Sequence, residues 1–296
     1  MTSTERISQI IRMRSAAKRT REFQQRSLLP ENDDFHETIR AKLDGLWDCS
    51  QFWNFSKCGH ERIFRTCKSC GDTQEFPYRC SLKFCPRCQW WITERRRRLI
   101  AKWSSRITQP KHLVLTQQNF PILTRKRFAD HTKALSKMRR SKCFARVKGG
   151  CVSVEVTNES RGWHVHSHWL IDCRWLDMPE VSRTWAKLVG QTFAIVKIKD
   201  ARAKDYLQEV SKYVCEGSEL ARWPAEQILE FVTAIRGRRF FFPFGSLFAE
   251  GKAIRAELKA ENSHSITCDC GCCDFRFEDE ITATLREIRE AKPKRR

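Results

Sequence analysis

No run of apolar side chains in this sequence approaches the roughly 20 residues that a membrane-spanning helix needs, so no spanning segment is expected. The N-terminus carries charge without the apolar stretch of a secretory signal, and a cytoplasmic protein is expected. No internal repeat is found. Acidic side chains are in deficit, 35 Asp and Glu against 56 Lys and Arg. The resulting net charge of +21 calls for a polyanionic partner. Nucleic acid fits best; a membrane surface fits less well, because no basic amphipathic helix stands out. Tyrosine and histidine are scarce, three and eight in 296 residues, so the places where they gather carry information. The apolar and charged fractions are those of a globular chain, which argues against disorder throughout.

Cysteine, by contrast, is abundant: 15 residues, seven from Cys49 to Cys88 and four from Cys268 to Cys273. In a cytoplasmic chain such clusters point to metal rather than disulfides. Cys67-x-x-Cys70 and Cys85-x-x-Cys88, 14 residues apart, form a four-thiolate zinc pattern of the closed, structural kind. Cys58, His60 and Cys80 leave enough ligands for a second metal or for a different first set. Around Cys268 the cysteines are too close in sequence to fill one tetrahedral site well, and metal binding there, with or without His264, is left open. Cys143, Cys151, Cys173 and Cys215 read as small core side chains.

Residues 1–45 are polar and basic. A helical stretch from Ser3 to Arg21, a break at Leu29–Asp34 and a short helix over 36–47 suggest a peripheral arm. A helix over about 87–106 carries Arg95 to Arg98 between apolar positions at helical spacing. Beyond it the pattern alternates: strands near 111–116, 151–157, 163–171 and 193–198, helices near 124–142, 178–190, 201–215 and 224–235. That mixture predicts an α+β fold with a largely antiparallel sheet flanked by helices, preceded by a small zinc-binding module.

The densest signal is Gly162-Trp163-His164-Val165-His166-Ser167-His168-Trp169-Leu170-Ile171. In a strand the three imidazoles share one face while Trp163, Val165 and Trp169 take the other. If the preceding strand pairs Thr157 with His164, Glu155 stands opposite His166. His166, His168, Glu155 and His164 are therefore candidate ligands, and a carboxylate beside imidazoles suits Mg²⁺ or Mn²⁺ with positions left open for phosphate. Some 40 residues later, Glu209 and Tyr213 are four apart on a helix. A phenol can attack phosphorus when a cation neutralises the phosphate oxygens, and a carboxylate one turn away can serve as base for a second displacement.

In that order, three blocks resemble the rolling-circle replication initiators of small plasmids, single-tyrosine members of the HUH endonucleases: His112-Leu113-Val114-Leu115-Thr116, the histidine strand, and Glu209 to Tyr213-Val214. Cys80-x4-Cys85-Pro86-x-Cys88 resembles the cysteine block that precedes the nuclease domain of such initiators. The resemblance implies a metal-dependent endonuclease that nicks single-stranded or hairpin plasmid origin DNA. Tyr213 would be the nucleophile, Glu209 the closing base and His166 with His168 the core metal pair. The 3′-hydroxyl so made would prime a host DNA polymerase working with a helicase, and no small-molecule cofactor would be needed. Ser167 stands where the family has an apolar residue, and Glu216 where it often has lysine. A transposase or mobilisation nuclease of the same chemistry, or a non-catalytic zinc-dependent DNA-binding protein, are the alternatives. The chain would then divide into a basic arm (1–48), a zinc module (49–92), a nuclease domain (93–250) and a charged tail with the last cysteine cluster (251–296).

Overall fold

The computed structural model describes residues 30–47, 50–159, 161–201, 205–211, 214–263, 270 and 275–279. The fold is α+β. Its centre is a five-stranded antiparallel sheet: β3 (Pro110–Leu115), β4 (Gly149–Glu159), β5 (Gly162–Asp172), β6 (Val196–Asp200) and β7 (Phe241–Phe244), in spatial order β6-β3-β5-β4-β7. A smaller antiparallel sheet, order β2-β1-β8, is built from β1 (Arg62–Cys67), β2 (Thr73–Pro77) and β8 (Phe275–Asp279).

The period-two pattern of β4 and β5 divides the large sheet into two unlike faces. Val152, Val154 and Val156 of β4 and Trp163, Val165 and Trp169 of β5 are buried on one side. Against them pack α4 (Arg125–Met138), α5 (Met178–Val189) and α8 (Ala225–Ile235) through Phe128, Trp185 and Phe231. Each large side chain buried there contributes about 1.5–3 kcal/mol. The helices start where their caps are: the Thr124 side chain accepts from Arg127 N, and Asp177 from Glu180 N. On the other face α3 (Pro86–Ser104), α6 (Asp205–Ser211) and α9 (Gly245–Ser263) cover Cys151 and Leu170 with Ile100, Trp103, Val210, Leu247 and Ile254.

Three features differ from the sequence reading. The arm is not peripheral where it is described. Its helix α1 (Pro30–Leu43) begins at the supposed break, because Pro30 suits the first turn and acidic residues favour a helix N-terminus. Ile39 and Leu43 are fully buried in the main core, with α1 lying on α3, α7 (Gly217–Arg222) and α8. Secondly, residues 245–263, read as the end of the domain and a charged tail, form α9; only Leu247, Ile254 and Leu258 mark its seam, too sparse a stripe for periodicity to reveal. Thirdly, β8 from that tail pairs with β1 of the cysteine-rich module, which α2 (Ser50–Lys57) precedes, so segments far apart in sequence share one sheet. The expected helix from Ser3 to Arg21 lies outside the described residues.

Two outcomes follow from the core. A Cβ at Gly150 of β4 would run into Leu170 O and meet Ile171 Cα at 3.0 Å, both backbone atoms of the paired strand. Gly150→Ala is expected to destabilise by about 3 kcal/mol; an unchanged urea midpoint would contradict this close approach. His131 of α4 lies edge-on to Trp185 with ring centroids 5.5 Å apart, and among the described residues neither ring nitrogen has a hydrogen-bond partner. Burial, aided by His166 and His164, pushes its pKa down to about 3. The unfolded chain takes up this proton near the ordinary value of about 6.5, so acidification between the two values favours unfolding. His131→Phe is expected to remove up to about 1.4 kcal/mol per pH unit of acid destabilisation in that window. Unfolding curves of equal pH slope for the two proteins would contradict the assignment.

Candidate metal centre

The β4–β5 hairpin pairs Thr157 with His164, Glu155 with His166, and Ser153 with His168. Glu155 is thereby set between two imidazoles: its Oε2 lies 3.0 Å from His166 Nε2 and 3.1 Å from His168 Nε2. Burial alone would raise the Glu155 carboxyl, but the hydrogen bonds and charges of His166 and His168 outweigh it and hold the group well below the usual carboxylate range. An anionic carboxylate and two imidazoles, with ligand atoms all within 4.8 Å of one another, could hold a divalent cation. His166 Nδ1 is buried and has no hydrogen-bond partner among the described residues. His164 is not part of this group. Its ring stacks on that of His166, 4.9 Å between centroids, because a step of two residues along a strand carries it past the carboxylate. Ser167 points to the core face as expected, where its hydroxyl donates to Leu115 O and accepts from Trp169 Nε1.

A fourth histidine completes the site and escaped the sequence reading. His112 of β3, across from Leu170, brings its Nε2 to 3.3 Å from His168 Nδ1, with the rings stacked. When the Nε2 lone pair of His168 faces a cation, its Nδ1–H donates to His112 and the ring orientation is fixed. The block around His112 was singled out only for its apolar strand; no local pattern tells that this ring meets His168. Further along the same face, by register, come Lys197 and Lys199 of the edge strand β6, both exposed. They extend the basic character of the chain to the margin of the site.

Tyr213 lies outside the described residues, and the Glu209 side chain is likewise not described. Their surroundings are. α6 packs on β4 and β5 from the histidine side, with Val210 buried against Leu170 and Cys151. The residue after the tyrosine, Val214, accepts through its carbonyl from Val156 N at 2.7 Å, one residue beyond Glu155.

The cysteines sort differently from their spacing. Cys58, Cys80, Cys85 and Cys88 come together, with Sγ separations of 3.5 Å for Cys58–Cys88 and 3.7 Å for Cys58–Cys85 and Cys80–Cys88. Cys67 and Cys70 instead meet Cys270. The hairpin explains the exchange. Cys58 precedes β1 and Cys80 follows β2, so both sit at its open end, while Cys67 and Cys70 sit at its turn, about 17 Å away by the strand rise. The set Cys67, Cys70, Cys85 and Cys88 is therefore not brought together. Within the first group, hydrogen bonds from Cys80, Cys85 and Cys88 pull Cys58 far towards thiolate, whereas burial pushes Cys85 up. Four such thiols can all lose their protons to water only when a cation takes the protons' place on the sulfurs, and the cluster could hold one. Arg87 donates to Cys58 O and pairs with Asp33 at 2.6 Å and Glu37 at 3.2 Å. His36 and His60 join the same carboxylate, and Glu37, raised by burial but more strongly lowered by Arg40, His60 and His36, stays at about 2. That third group reads as an ion-pair network behind Cys58.

The model of the replication protein family matches residues 73–285. No curated relative and no solved structure matches the chain. The match takes in the whole of the five-stranded sheet, its histidine face and the helices that close it, more than two thirds of the sequence, and on that extent the chain belongs to the family of plasmid replication proteins.

Proposed function

We propose that the protein initiates rolling-circle replication by nicking one strand of plasmid origin DNA with Tyr213, at an active site built on Glu155, His166 and His168. The observation that carries this reading is the placement of Glu155 between the two imidazoles, on the face of the sheet that α6 covers. Val210, packed on that face three residues before the tyrosine, and the backbone bond of Val214 to the neighbouring β4 at Val156 support its delivery to the site.

The Tyr213 oxygen attacks phosphorus in line with the scissile bond. A tyrosyl O–P bond forms, the P–O3′ bond breaks, and the phenolic proton leaves while the 3′ oxygen takes one up. The product is a 5′-phosphotyrosyl link and a free 3′-hydroxyl that primes a host polymerase, with a helicase opening the duplex ahead. Glu209, one helical turn before Tyr213, takes the proton from the hydroxyl that attacks in the closing transfer. Glu155, His166 and His168 would hold Mg²⁺ or Mn²⁺, which supplies neutralisation of the non-bridging phosphate oxygens and favours the phenolate. His112 is a positioning residue for His168. Cys58, Cys80, Cys85 and Cys88 would hold a structural zinc ion. Lys197 and Lys199 contact the DNA backbone beside the site.

The test is incubation of the full-length protein with origin single strands and Mn²⁺, followed by mass mapping of a covalent adduct on tyrosine. Tyr213→Phe is expected to lower adduct formation by more than about a thousandfold with strand binding kept. An undiminished adduct in that variant would remove Tyr213 from the chemistry and turn attention to Tyr206. Binding without any adduct in the unaltered protein would favour the non-catalytic alternative.

A further inference from the structure

The second cysteine group, Cys67, Cys70 and Cys270, has no part in the nicking reading and does not depend on it. Cys67 closes β1, and Cys67-Lys68-Ser69-Cys70-Gly71 is a tight turn: Gly71 N donates to Cys67 O at 3.0 Å, and Cys67 N to Asp72 O at 2.8 Å. Gly71 has φ of 75°, a conformation that a side chain would resist. The turn folds the thiols of Cys67 and Cys70 to the same side. Cys270 reaches them from 203 residues further along the chain, its Sγ 3.7 Å from that of Cys67. All three sulfurs lie within 4.8 Å of one another.

The separation fits shared ligation of one ion. Around a zinc ion with Zn–S bonds near 2.3 Å, tetrahedral sulfurs stand about 3.8 Å apart. A disulfide would bring them to about 2.05 Å. The Cys67–Cys270 distance is that of two ligands of one ion, and it repeats the 3.7 Å spacings of the Cys58 cluster.

Among the described residues, the sheet that these cysteines close buries little apolar surface. β8 joins β1 from Phe275 opposite Cys67 to Asp279 opposite Ile63. The interior at that junction is polar: the Arg65 guanidinium lies between the rings of Phe76 and Phe275, 5.0 and 4.3 Å from their centroids, and the Thr66 hydroxyl meets that of Thr73. So small a sheet with so little apolar area needs a staple. The link also joins segments 203 residues apart, and fixing so distant a pair together strongly restricts the unfolded state.

We propose that Cys67, Cys70 and Cys270 are ligands of a second structural zinc ion, separate from the Cys58–Cys80–Cys85–Cys88 site, that fastens the segment after α9 to the turn of the β1–β2 hairpin. For the fourth position the sequence offers three thiols within three residues of Cys270: Cys268, Cys272 and Cys273.

The test uses full-length protein purified under reducing conditions with zinc present. Two zinc ions per chain are expected by elemental analysis. Cys67→Ser and Cys270→Ser are each expected to lose one ion, and both should expose the segment around 264–280 to limited proteolysis. The thiols of Cys70 and Cys270 are exposed, so a measurement on the unaltered protein guards against variants that do not fold. Both thiols should resist alkylation by N-ethylmaleimide while zinc is bound and react at least tenfold faster after chelation. Alkylation of Cys70 and Cys270 at the same rate with and without zinc would overturn the site. So would a zinc content in Cys67→Ser and Cys270→Ser undiminished from that of the unaltered protein, or a Cys67–Cys270 disulfide in its place.

Discussion

The geometry of the site rests on one antiparallel register. Thr157 opposite His164 puts Glu155 level with His166 and within reach of His168. A slip of one residue would turn every side chain of β5 to the other face. The three imidazoles would then enter the tryptophan core and the indoles would face outwards, at a cost in buried apolar area that no local interaction could offset. The burial of Trp163, Val165 and Trp169 thus fixes where the histidines stand. A core of tryptophan and phenylalanine on one face is the reason a carboxylate and two imidazoles can be held together on the other.

The cysteine-rich module is bound into this arrangement. Gln89, next to Cys88 on α3, donates to the carbonyl of Cys215 at 2.6 Å. Lys42 of α1 donates to the carbonyls of Ala221 and Trp223 at 2.7 and 2.8 Å. The segment that follows Tyr213 is therefore held by three independent elements: β4 at Val214, α3 at Cys215 and α1 beyond. At the far end of α3, Lys102 and Arg106 pair with Glu257 of α9. A cation in the Cys58 cluster would stiffen the start of α3 and, through Gln89, the stretch of chain beside the metal centre.

What the sequence told and what it withheld divide by range. The two strands of the histidine hairpin, the face each side chain takes and the partnership of Glu155 with His166 were legible, because strand alternation and a short turn are local rules. His112 was not, because its meeting with His168 depends on the pairing of β3 with β5 across 56 residues. Cys-x-x-Cys spacing pointed to clustered thiols but grouped Cys67 and Cys70 with Cys85 and Cys88, which the fold keeps apart, since which thiols meet depends on which end of a hairpin they occupy. Helix α9 hid behind a composition rich in Ala, Glu and Lys, which favours helix without an apolar stripe to mark it. The arm around Ile39 and Leu43 looked peripheral because its apolar residues are few, although those few are fully buried.

The central claim is that Glu155, His166 and His168 form one cation site. Its most direct measurement is Mn²⁺ titration of the full-length protein, with its zinc retained, followed by electron paramagnetic resonance of the free ion. One bound Mn²⁺ per chain is expected, with affinity reduced at least about a hundredfold in Glu155→Ala and in His168→Ala while the fold is kept. Unchanged Mn²⁺ affinity in both variants would contradict it.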